Sequence, residues 1–297
     1  MSKLSAVLEQ LPDGSSREMN FYDSSFFKEA GKRLPTPSQV KALSKDAHTS
    51  PRPKPVIFKD SEVFVKFGPY VTTAEAQCLW MIKRAFGEEV PVPEIFGWRV
   101  DEENHVFLYM ELIQGRTLLD RWNELTDLDK NSLCTQLSQI TQTLRRLEQD
   151  PRQYIGSISY QKVQDYIFES HPKAGPFSTV REFHDWFSSL PQLWLPLSKK
   201  YKDPYRDLLP DNEDIKFTHA DLHRANIIVS SSKPARILAI VDWAQAGWYP
   251  SYWEYCKALY TCWSEDEWRR EWIDRFLSPR MREFELFSEY TMAMGSV

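Results

Sequence analysis

The sequence predicts an α+β fold of two lobes, the first rich in strands and the second mainly helical. Short apolar runs rich in Val and Phe lie before residue 112, and amphipathic segments with helical spacing follow residue 116. The chain has 297 residues, of which 42% are hydrophobic, so it is long and apolar enough to bury a core. We expect residues 1–112 to form an N-terminal extension and the first lobe, and residues 113–297 to form the second lobe.

The extension is polar and ends in three prolines. Pro51, Pro53 and Pro55 favour an extended backbone and stop any helix at this point. Short helices are expected earlier, over residues 22–31 and again after the sequence "PTPSQ".

The first lobe follows as strands that flank one helix. The runs "VIF", "VFVKFG", "IFGWRV" and "VFLYMELIQG" predict strands, and the last is apolar enough to be buried. Between them, "VTTAEAQCLWMIKRAFG" predicts a helix, because Glu75, Leu79, Ile82 and Phe86 recur at helical spacing. Thr72 and Glu75 form a candidate capping box at its start.

The second lobe is predicted from helical periodicity. "LLDRWNEL" and "LDKNSLCTQLSQITQTLRRLEQ" have apolar residues on one face, and "STVREFHDWFSSL" predicts a shorter helix within residues 151–216. The chain is again helical after Trp243. A cleft between two such lobes is a natural place for a ligand.

Charge and cysteine use restrict the partners and the compartment. A net charge of -5 without a basic run argues against nucleic-acid binding. The four cysteines form no CxxC pair, and no continuous apolar leader precedes them, which indicates reduced thiols in a cytoplasmic protein. No apolar run approaches the ~18 residues of a membrane span. We expect a monomer or a weak dimer.

The stretch "FTHADLHRANIIVS", residues 217–230, allows three interpretations. His219 and His223 have the i, i+4 spacing of a zinc pair on a helix. However, no Glu follows His219, and "NIIVS" predicts a strand rather than a continuing helix. A second interpretation is an ordinary polar turn. The third depends on the sequence that follows.

In the third interpretation, "NIIVS" and "RILAIVDW" form a hairpin around "SSKPA". If Val229 faces Ala239, Asn226 faces Asp242 at the open end, where the loop that carries Asp221 also enters. Carboxylate and amide oxygens suit Mg²⁺, so Asp242 and Asn226 are candidate metal ligands. Asp221 is the candidate base that accepts the proton of an attacking hydroxyl. This set suits phosphoryl transfer from a magnesium nucleotide.

The pattern H-x-D-x-x-x-x-N, followed by an Asp on a strand, has the same logic as the catalytic loop and metal-binding Asp of protein kinases. Such a site also needs a strand Lys for the phosphates and a helix Glu to hold it, and Lys66 and Glu75 are the candidates. An exposed strand Lys and the capping box are the alternatives. "LYMELIQG" suits a hinge, where backbone groups near Glu111 and Ile113 would contact adenine and Met110 would line its pocket.

With these residues in place, the chain resembles the aminoglycoside phosphotransferase-like (APH/choline kinase-like) family, in its fungal branch. The segments that carry the resemblance include "RLPTPSQV", "VFVKFGPYVTTAEAQCLW", "VPVPEIFGWR", "YMELIQGRTL", "GPFSTVREFHDW", "FTHADLHRANIIV" and "IVDWAQAGWYPSYWEYCKALY". They cover most of residues 34–262. The resemblance implies a protein-kinase-like fold, ATP and Mg²⁺, and transfer of the γ-phosphoryl group to a hydroxyl of a small molecule.

By matching position, the resemblance implies that Asp221 is the catalytic base and that Asn226 and Asp242 hold Mg²⁺. Lys66 would bind the α- and β-phosphates, and His219 would brace the catalytic loop without transferring a proton. The first lobe would then bind the nucleotide, and the second would supply the catalytic and acceptor-binding groups.

One feature departs from kinases. The glycines that precede Lys66 are Gly14 and Gly31, so no glycine-rich phosphate loop is visible. This favours an alternative function, a catalytically weak or inactive kinase-like protein that binds a nucleotide or metabolite. The intact acidic and amide set argues against that alternative, because a binding protein has no need of it.

The acceptor is not identified by the sequence. Aromatic residues near the C-terminal helices either line an acceptor pocket or pack in the core: Trp248, Tyr249, Trp253, Tyr255 and Trp263. Acidic residues either hold a cationic acceptor or lie on a solvated surface: Asp185, Glu254, Glu265, Asp266 and Glu267.

Overall fold

Among the described residues, strands outweigh α-helices before residue 112, and α-helices outweigh strands after it. The computed structural model describes residues 4–7, 10–29, 31–150 and 152–296. The strands are β1 (Leu4–Val7), β2 (Glu18–Asn20), β3 (Val56–Phe58), β4 (Val63–Gly68), β5 (Ile95–Val100), β6 (Val106–Glu111), β7 (Arg116–Thr117), β8 (Leu147–Asp150), β9 (Gly156–Ser157), β10 (Ile215–Thr218), β11 (Ile227–Val229), β12 (Ile237–Ile240) and β13 (Gly247–Pro250). The α-helices are α1 (Pro37–Leu43), α2 (Thr73–Phe86), α3 (Leu118–Arg121), α4 (Asp127–Leu144), α5 (Val180–Ser189), α6 (Trp253–Tyr260) and α7 (Met281–Ala293). This two-lobed α+β arrangement confirms the predicted fold class.

The first lobe contains an antiparallel sheet of five strands in the order β2-β5-β6-β4-β3. Successive side chains of a strand point to opposite faces. In β4, Val63, Val65 and Phe67 pack in a core with the N-terminal extension. Phe64 and Lys66 therefore point to the opposite face, where both line the cleft between the lobes. The alternation of side chains along β4 thus directs Lys66 into the cleft.

Helix α2 packs against that sheet through a buried apolar face that includes Leu79 and Ile82. Burial of each such side chain is worth about 1.5–3 kcal/mol. The predicted capping box is wrong, because the Thr72 side chain makes no capping hydrogen bond. Glu75 instead contacts Lys66. This ammonium partner compensates the charge of a carboxylate that is only 2% exposed.

The extension covers the outer face of the sheet. The helix expected after "PTPSQ" is confirmed as α1, whose N-terminus has a capping box of Thr36 and Gln39. The helix expected over residues 22–31 is only a 3-10 turn, Ser25–Lys28, within the described part of that range. Strand β1 of the extension pairs in parallel with β8, far along the chain.

The second lobe packs its helices around a large aromatic core. Four of the aromatic residues proposed for an acceptor pocket are buried there: Trp248, Tyr249, Trp253 and Tyr255. Core packing is therefore their role, whereas Trp263 is 84% exposed. Within the described ranges, no helix is both long and apolar enough to cross a bilayer.

The predicted hairpin is confirmed as β11 and β12, which pair in antiparallel fashion. Its assumed register is wrong. Ile228, not Val229, lies opposite Ala239, and Val229 pairs with Ile237 across an irregularity. A bulge of this kind adds one residue to a strand and cannot be read from the apolar pattern alone.

Candidate functional site

A cavity of about 280 Å³ lies in the cleft between the lobes. The residues predicted for nucleotide and metal binding line it together: Lys66, Glu75, Met110, Glu111, Ile113, Asn226 and Asp242. Its apolar walls include Phe64 from the first lobe and Ile228 and Val241 from the second. A pocket with apolar walls and a charged end suits a planar base that carries a charged tail.

Lys66 joins three elements at the charged end. Its Nζ lies 2.9 Å from both carboxylate oxygens of Glu75 and 2.6 Å from Oδ1 of Asp242. Burial opposes the charge of Lys66, but the carboxylates of Glu75 and Asp242 outweigh it and raise the pKa of the ammonium. Burial also raises the pKa of Glu75, which is 2% exposed, and the Lys66 ammonium works against that rise. The interaction fixes the position of the lysine across the cleft.

Asp242 follows β12 with a backbone φ of 62°, in the left-handed region. Asp tolerates this conformation better than most residues. The N–H of Val241 donates to the carbonyl of Asn226 at 2.9 Å and closes the open end of the hairpin. Asn226 itself ends a 3-10 turn rather than beginning the strand. Asn226 and Asp242 therefore line the same cavity, although Asn226 pairs with Val241 and not with Asp242 as predicted.

Asp221 and Asn226 are directly bonded. The Nδ2 of Asn226 donates to the Asp221 carbonyl at 2.9 Å and to Asp221 Oδ2 at 3.0 Å. In the described part of the chain, Oδ1 of Asn226 has no hydrogen-bond partner, so it remains free for a ligand. Burial tends to raise the pKa of Asp221, but a hydrogen bond and the charge of His223 lower it below the usual range. Asp221 is therefore ionised and able to accept a proton at neutral pH.

His219 is fully buried, and both of its ring nitrogens are used. Its Nε2 lies 3.0 Å from the carbonyl of Val241, and its Nδ1 accepts from the N–H of Asp221 at 3.1 Å. Burial lowers its pKa to about 4, so the ring is neutral. Because His219 has no free nitrogen, it cannot pair with His223 as a zinc ligand. Its contacts support the predicted role as a brace of the loop.

Glu254 lies beneath the same loop, a position that the sequence analysis did not predict. Its two carboxylate oxygens accept from the N–H of His219 at 2.7 Å and of Ala220 at 3.1 Å. Ala220 has a φ of 63°, which is unfavourable for a residue with a Cβ. Glu254 thus holds the backbone in the strained turn before Asp221. The signal was present in the sequence, since an acidic residue between Trp253 and Tyr255 needs buried partners.

Burial also raises the pKa of Glu254 to about 7, against opposing contributions from its hydrogen bonds and Arg145. An acid whose pKa is raised in the folded state stabilises the fold at low pH and loses that contribution as the pH rises through the folded pKa. For Glu254, the pH range over which this contribution to stability is lost runs from about pH 4.5 to about pH 7. In Glu254→Gln the group no longer titrates, although its amide can accept only one of the two N–H bonds.

We therefore expect the stability of the wild type relative to Glu254→Gln to fall by roughly 2 kcal/mol between pH 5 and pH 8. Urea unfolding of both proteins at each pH measures this difference. Glu283→Gln is a control, because the pKa of Glu283 is lowered, chiefly by its hydrogen bond to Arg280. A difference that stays constant or grows with pH would contradict the prediction.

Three other acidic residues proposed for a cationic acceptor are already paired with cations, whereas Glu265 is exposed. Asp185 binds Arg206, Asp266 binds Arg224 and Glu267 binds Lys130. These pairs explain the three acidic residues without an acceptor. His184, another polar residue of this lobe, is fully buried and bonded to Asp211 and Tyr252.

The hinge after β6 leaves the backbone donor of Ile113 unpaired in the part of the chain that the structure describes. The N–H of Glu111 donates to the carbonyl of Glu94 and that of Leu112 to the carbonyl of Glu62, each at 2.9 Å. Among the described residues, the N–H of Ile113 has no hydrogen-bond partner. Because Ile113 lines the cavity, this N–H is available to a ligand that carries an acceptor atom on its edge.

Known structures share this architecture. Aminoglycoside phosphotransferase APH(3'')-Id from Streptomyces rimosus, in complex with ADP and streptomycin, aligns with a TM-score of 0.51 and 15% identity over 81% of this chain and 91% of that one. Aminoglycoside-3'-phosphotransferase of type VIII aligns with a TM-score of 0.50 and 15% identity over 78% of this chain and 84% of that one. An apo thermostable mutant of aminoglycoside phosphotransferase APH(4)-Ia aligns with a TM-score of 0.50 and 15% identity over 78% of this chain and 77% of that one. The likeness confirms the protein-kinase-like fold.

No curated protein matches the chain significantly. The sequence itself, over residues 62–287, matches the model of APH, the phosphotransferase enzyme family. That segment contains the whole charged cluster, from Lys66 on β4 to Asp242 after β12, and covers well over half of the chain. The chain therefore belongs to the phosphotransferase enzyme family.

Proposed function

We propose that this protein is an ATP- and Mg²⁺-dependent phosphotransferase that moves the γ-phosphoryl group to a hydroxyl of a small molecule. One observation carries the proposal. The ammonium of Lys66 lies between Glu75 and Asp242 in the cleft, while Asp242 and Asn226 line that cleft together and Asn226 is bonded to Asp221. Family membership supports the same reaction class.

The nucleotide would lie along the cavity. Its base would pack between Phe64 and Ile228 and accept a hydrogen bond from the N–H of Ile113, with Met110 at the back of the pocket. The phosphates would then reach Lys66. Lys66 would exchange its contact with Asp242 for phosphate oxygens and keep its contact with Glu75, which is the more buried of the two carboxylates.

The residues at the charged end fit a magnesium ion. Asp242 offers a carboxylate and Asn226 a free amide oxygen, which are the hard ligands that Mg²⁺ prefers. Among the described residues, the carboxylates of Glu75 and Asp242 both pair with Lys66, and Asp221 adds a third carboxylate in the neighbouring loop. This surplus of negative charge suits a divalent cation. When bound, the ion would neutralise phosphate charge and orient the phosphate chain.

Asp221 would act on the acceptor. Its ionised carboxylate is held by Asn226 and by the braced backbone of the loop, so its position is fixed before the acceptor binds. It would orient the acceptor hydroxyl and take its proton as the oxygen attacks the γ-phosphorus, while the bond from that phosphorus to the β-phosphate oxygen breaks and ADP leaves. Phosphoryl transfer of this kind depends mainly on positioning and charge neutralisation.

The acceptor is proposed only as a class. The structure from Streptomyces rimosus contains ADP and streptomycin, a nucleotide and a small-molecule ligand. At 15% identity the acceptor does not transfer to this chain, in which three of the acidic candidates, Asp185, Asp266 and Glu267, are paired with its own cations. We therefore propose a hydroxyl-bearing small molecule without specifying an aminoglycoside.

Two measurements test the proposal. Mg-ATP at 100 times its Kd should stabilise the protein by about 2.7 kcal/mol in a thermal-shift experiment. ADP release across a panel of hydroxyl-bearing compounds should then identify an acceptor. Absence of any nucleotide binding would contradict the proposed function. Tight Mg-ATP binding without transfer to any compound would instead favour the weakly active or inactive binding protein.

Several sequence-based expectations stay predictions. They include membership of the fungal branch, a cytoplasmic location, a monomer or weak dimer, and the division of labour at residue 112. Each concerns a property beyond the geometry of the cleft.

A further inference from the structure

A second cavity, of about 200 Å³, continues the cleft beyond the charged end. It shares Lys66 and Asp242 with the first cavity and is covered by the segment 51–55. That segment is held against the end of β4, where Gly68 has a φ of 131° and a Cβ would come 2.9 Å from Cδ of Pro53. The segment therefore lies where the phosphates of a nucleotide would emerge, on the side away from the hinge.

The segment 51–55 cannot bind phosphate through its backbone. Three of its five residues are prolines, which have no N–H. The other two N–H groups are used, since Arg52 donates to Oγ of Ser50 at 3.1 Å and Lys54 to the carboxylate of Asp46 at 3.2 Å. A glycine-rich loop cradles phosphates with free backbone amides. Here any contact from the covering segment must come from a side chain.

Arg52 is the side chain in position to make that contact. Its guanidinium lies over the rings of Tyr70, at 5.1 Å, and Tyr166, at 4.7 Å. Its Nη2 lies 2.6 and 2.7 Å from the two carboxylate oxygens of Glu169. Among the described residues, Nε and Nη1 of Arg52 make no hydrogen bond. The guanidinium thus keeps donors free, and it lines the second cavity together with Tyr70 and Tyr166.

We propose that Arg52 binds the β- and γ-phosphates of the nucleotide, in place of a glycine-rich loop. This inference rests on the proposed function. A guanidinium matches phosphate oxygens with two parallel donors, and the flanking tyrosine rings keep its plane fixed. Its pair with Glu169 is half exposed, so a phosphate can replace that partner at little expense in free energy.

If Arg52 binds the β- and γ-phosphates, its replacement should affect nucleotides with a long phosphate chain more than those with a short one. Arg52→Gln should weaken Mg-ATP binding by about tenfold to a hundredfold, the usual size of one or two charge-assisted hydrogen bonds. Binding of AMP, which ends before the second cavity, should change by less than about twofold. Glu169→Gln should leave Mg-ATP binding unchanged or tighten it, because it removes a competitor for Arg52.

The experiment is calorimetric titration of the full chain with Mg-ATP, Mg-ADP and AMP, for the wild type and each variant. Arg116→Gln is the matched control, because Arg116 forms a similarly exposed pair with Glu124. Unliganded melting temperatures show whether each variant is folded, and Arg52→Lys, which keeps the charge, should recover part of the ATP affinity.

Three outcomes would overturn the inference. The first is an Arg52→Gln variant that binds Mg-ATP as the wild type does. The second is an equal loss for all three nucleotides, and the third is an equal loss in Glu169→Gln. The last two would show that the Arg52–Glu169 pair holds the lobes together and does not bind phosphate. A wild type that binds no nucleotide at all would contradict the proposed function instead.

Discussion

Asp221→Asn is expected to slow phosphoryl transfer by about 10²–10⁴-fold while Mg-ATP binding stays within about twofold of the wild type. The asparagine retains the shape of the side chain and one oxygen that can accept from Nδ2 of Asn226, so the loop should keep its geometry. What it loses is the negative charge and the basic oxygen that would take the hydroxyl proton. ADP release with an identified acceptor measures the rate, and calorimetry measures the binding.

The control for this variant is Asp207→Asn. Asp207 is exposed on a short 3-10 turn of the second lobe, so the same chemical change there should leave the rate unaltered. A rate in Asp221→Asn within about threefold of the wild type would remove Asp221 from the proton transfer, since general-base catalysis contributes far more than that. A loss of Mg-ATP binding equal to the loss in rate would point to a structural role for Asp221 instead.

The parts of the site that the sequence predicted are those determined by local spacing. Asp221 and Asn226 lie five residues apart, which allows the amide of one to bond the carboxylate of the other within a single loop. Lys66 points into the cleft because strand side chains alternate, and the flanking Val65 and Phe67 belong to the opposite face. Neither feature depends on distant contacts, so both could be recognised in one sequence.

The hairpin shows why register is harder to predict than existence. Two apolar runs around "SSKPA" are enough to indicate β11 and β12. The irregularity between Ile228 and Val229 shifts the pairing of the two strands, and no residue in either apolar run indicates that shift. The prediction that Asn226 and Asp242 meet still holds at the cavity, because the side chains of both residues reach it from the same end of the hairpin.

Contacts between segments far apart in sequence escaped prediction. Glu254 was considered for an acceptor, yet it lies under Ala220, and its partners come from a loop more than thirty residues earlier. No role was predicted for Arg52, because the residues that surround its guanidinium come from both lobes. Tyr70 belongs to the first lobe, whereas Tyr166 and Glu169 belong to the second. Composition and periodicity describe one segment at a time. They do not show which segments the folded chain brings together.

Asp242→Asn is expected to remove the Mg²⁺ dependence of ATP binding and to slow transfer on the order of 10²-fold or more, since metal ions supply several kcal/mol of charge stabilisation in such reactions. Asn also tolerates the left-handed backbone at this position, where φ is 62°, so the fold should be retained. The variant removes the carboxylate that both the metal and Lys66 would use. Titration of ATP at increasing Mg²⁺ concentrations measures the dependence.

Comparison with Asp242→Ala separates the effect of losing the carboxylate charge from the effect of destabilising the left-handed backbone. Both variants lose the carboxylate, but alanine has no polar side chain to support the left-handed turn and should also lower the melting temperature. If the metal ligand is the reason for the effect, both should lose Mg²⁺ dependence, although only Asp242→Ala is destabilised. An Asp242→Asn variant whose ATP affinity still rises with Mg²⁺ as in the wild type would place the ion elsewhere. Lys66 would then pair with Asp242 for structural reasons, and the charged end of the cleft would not be a metal site.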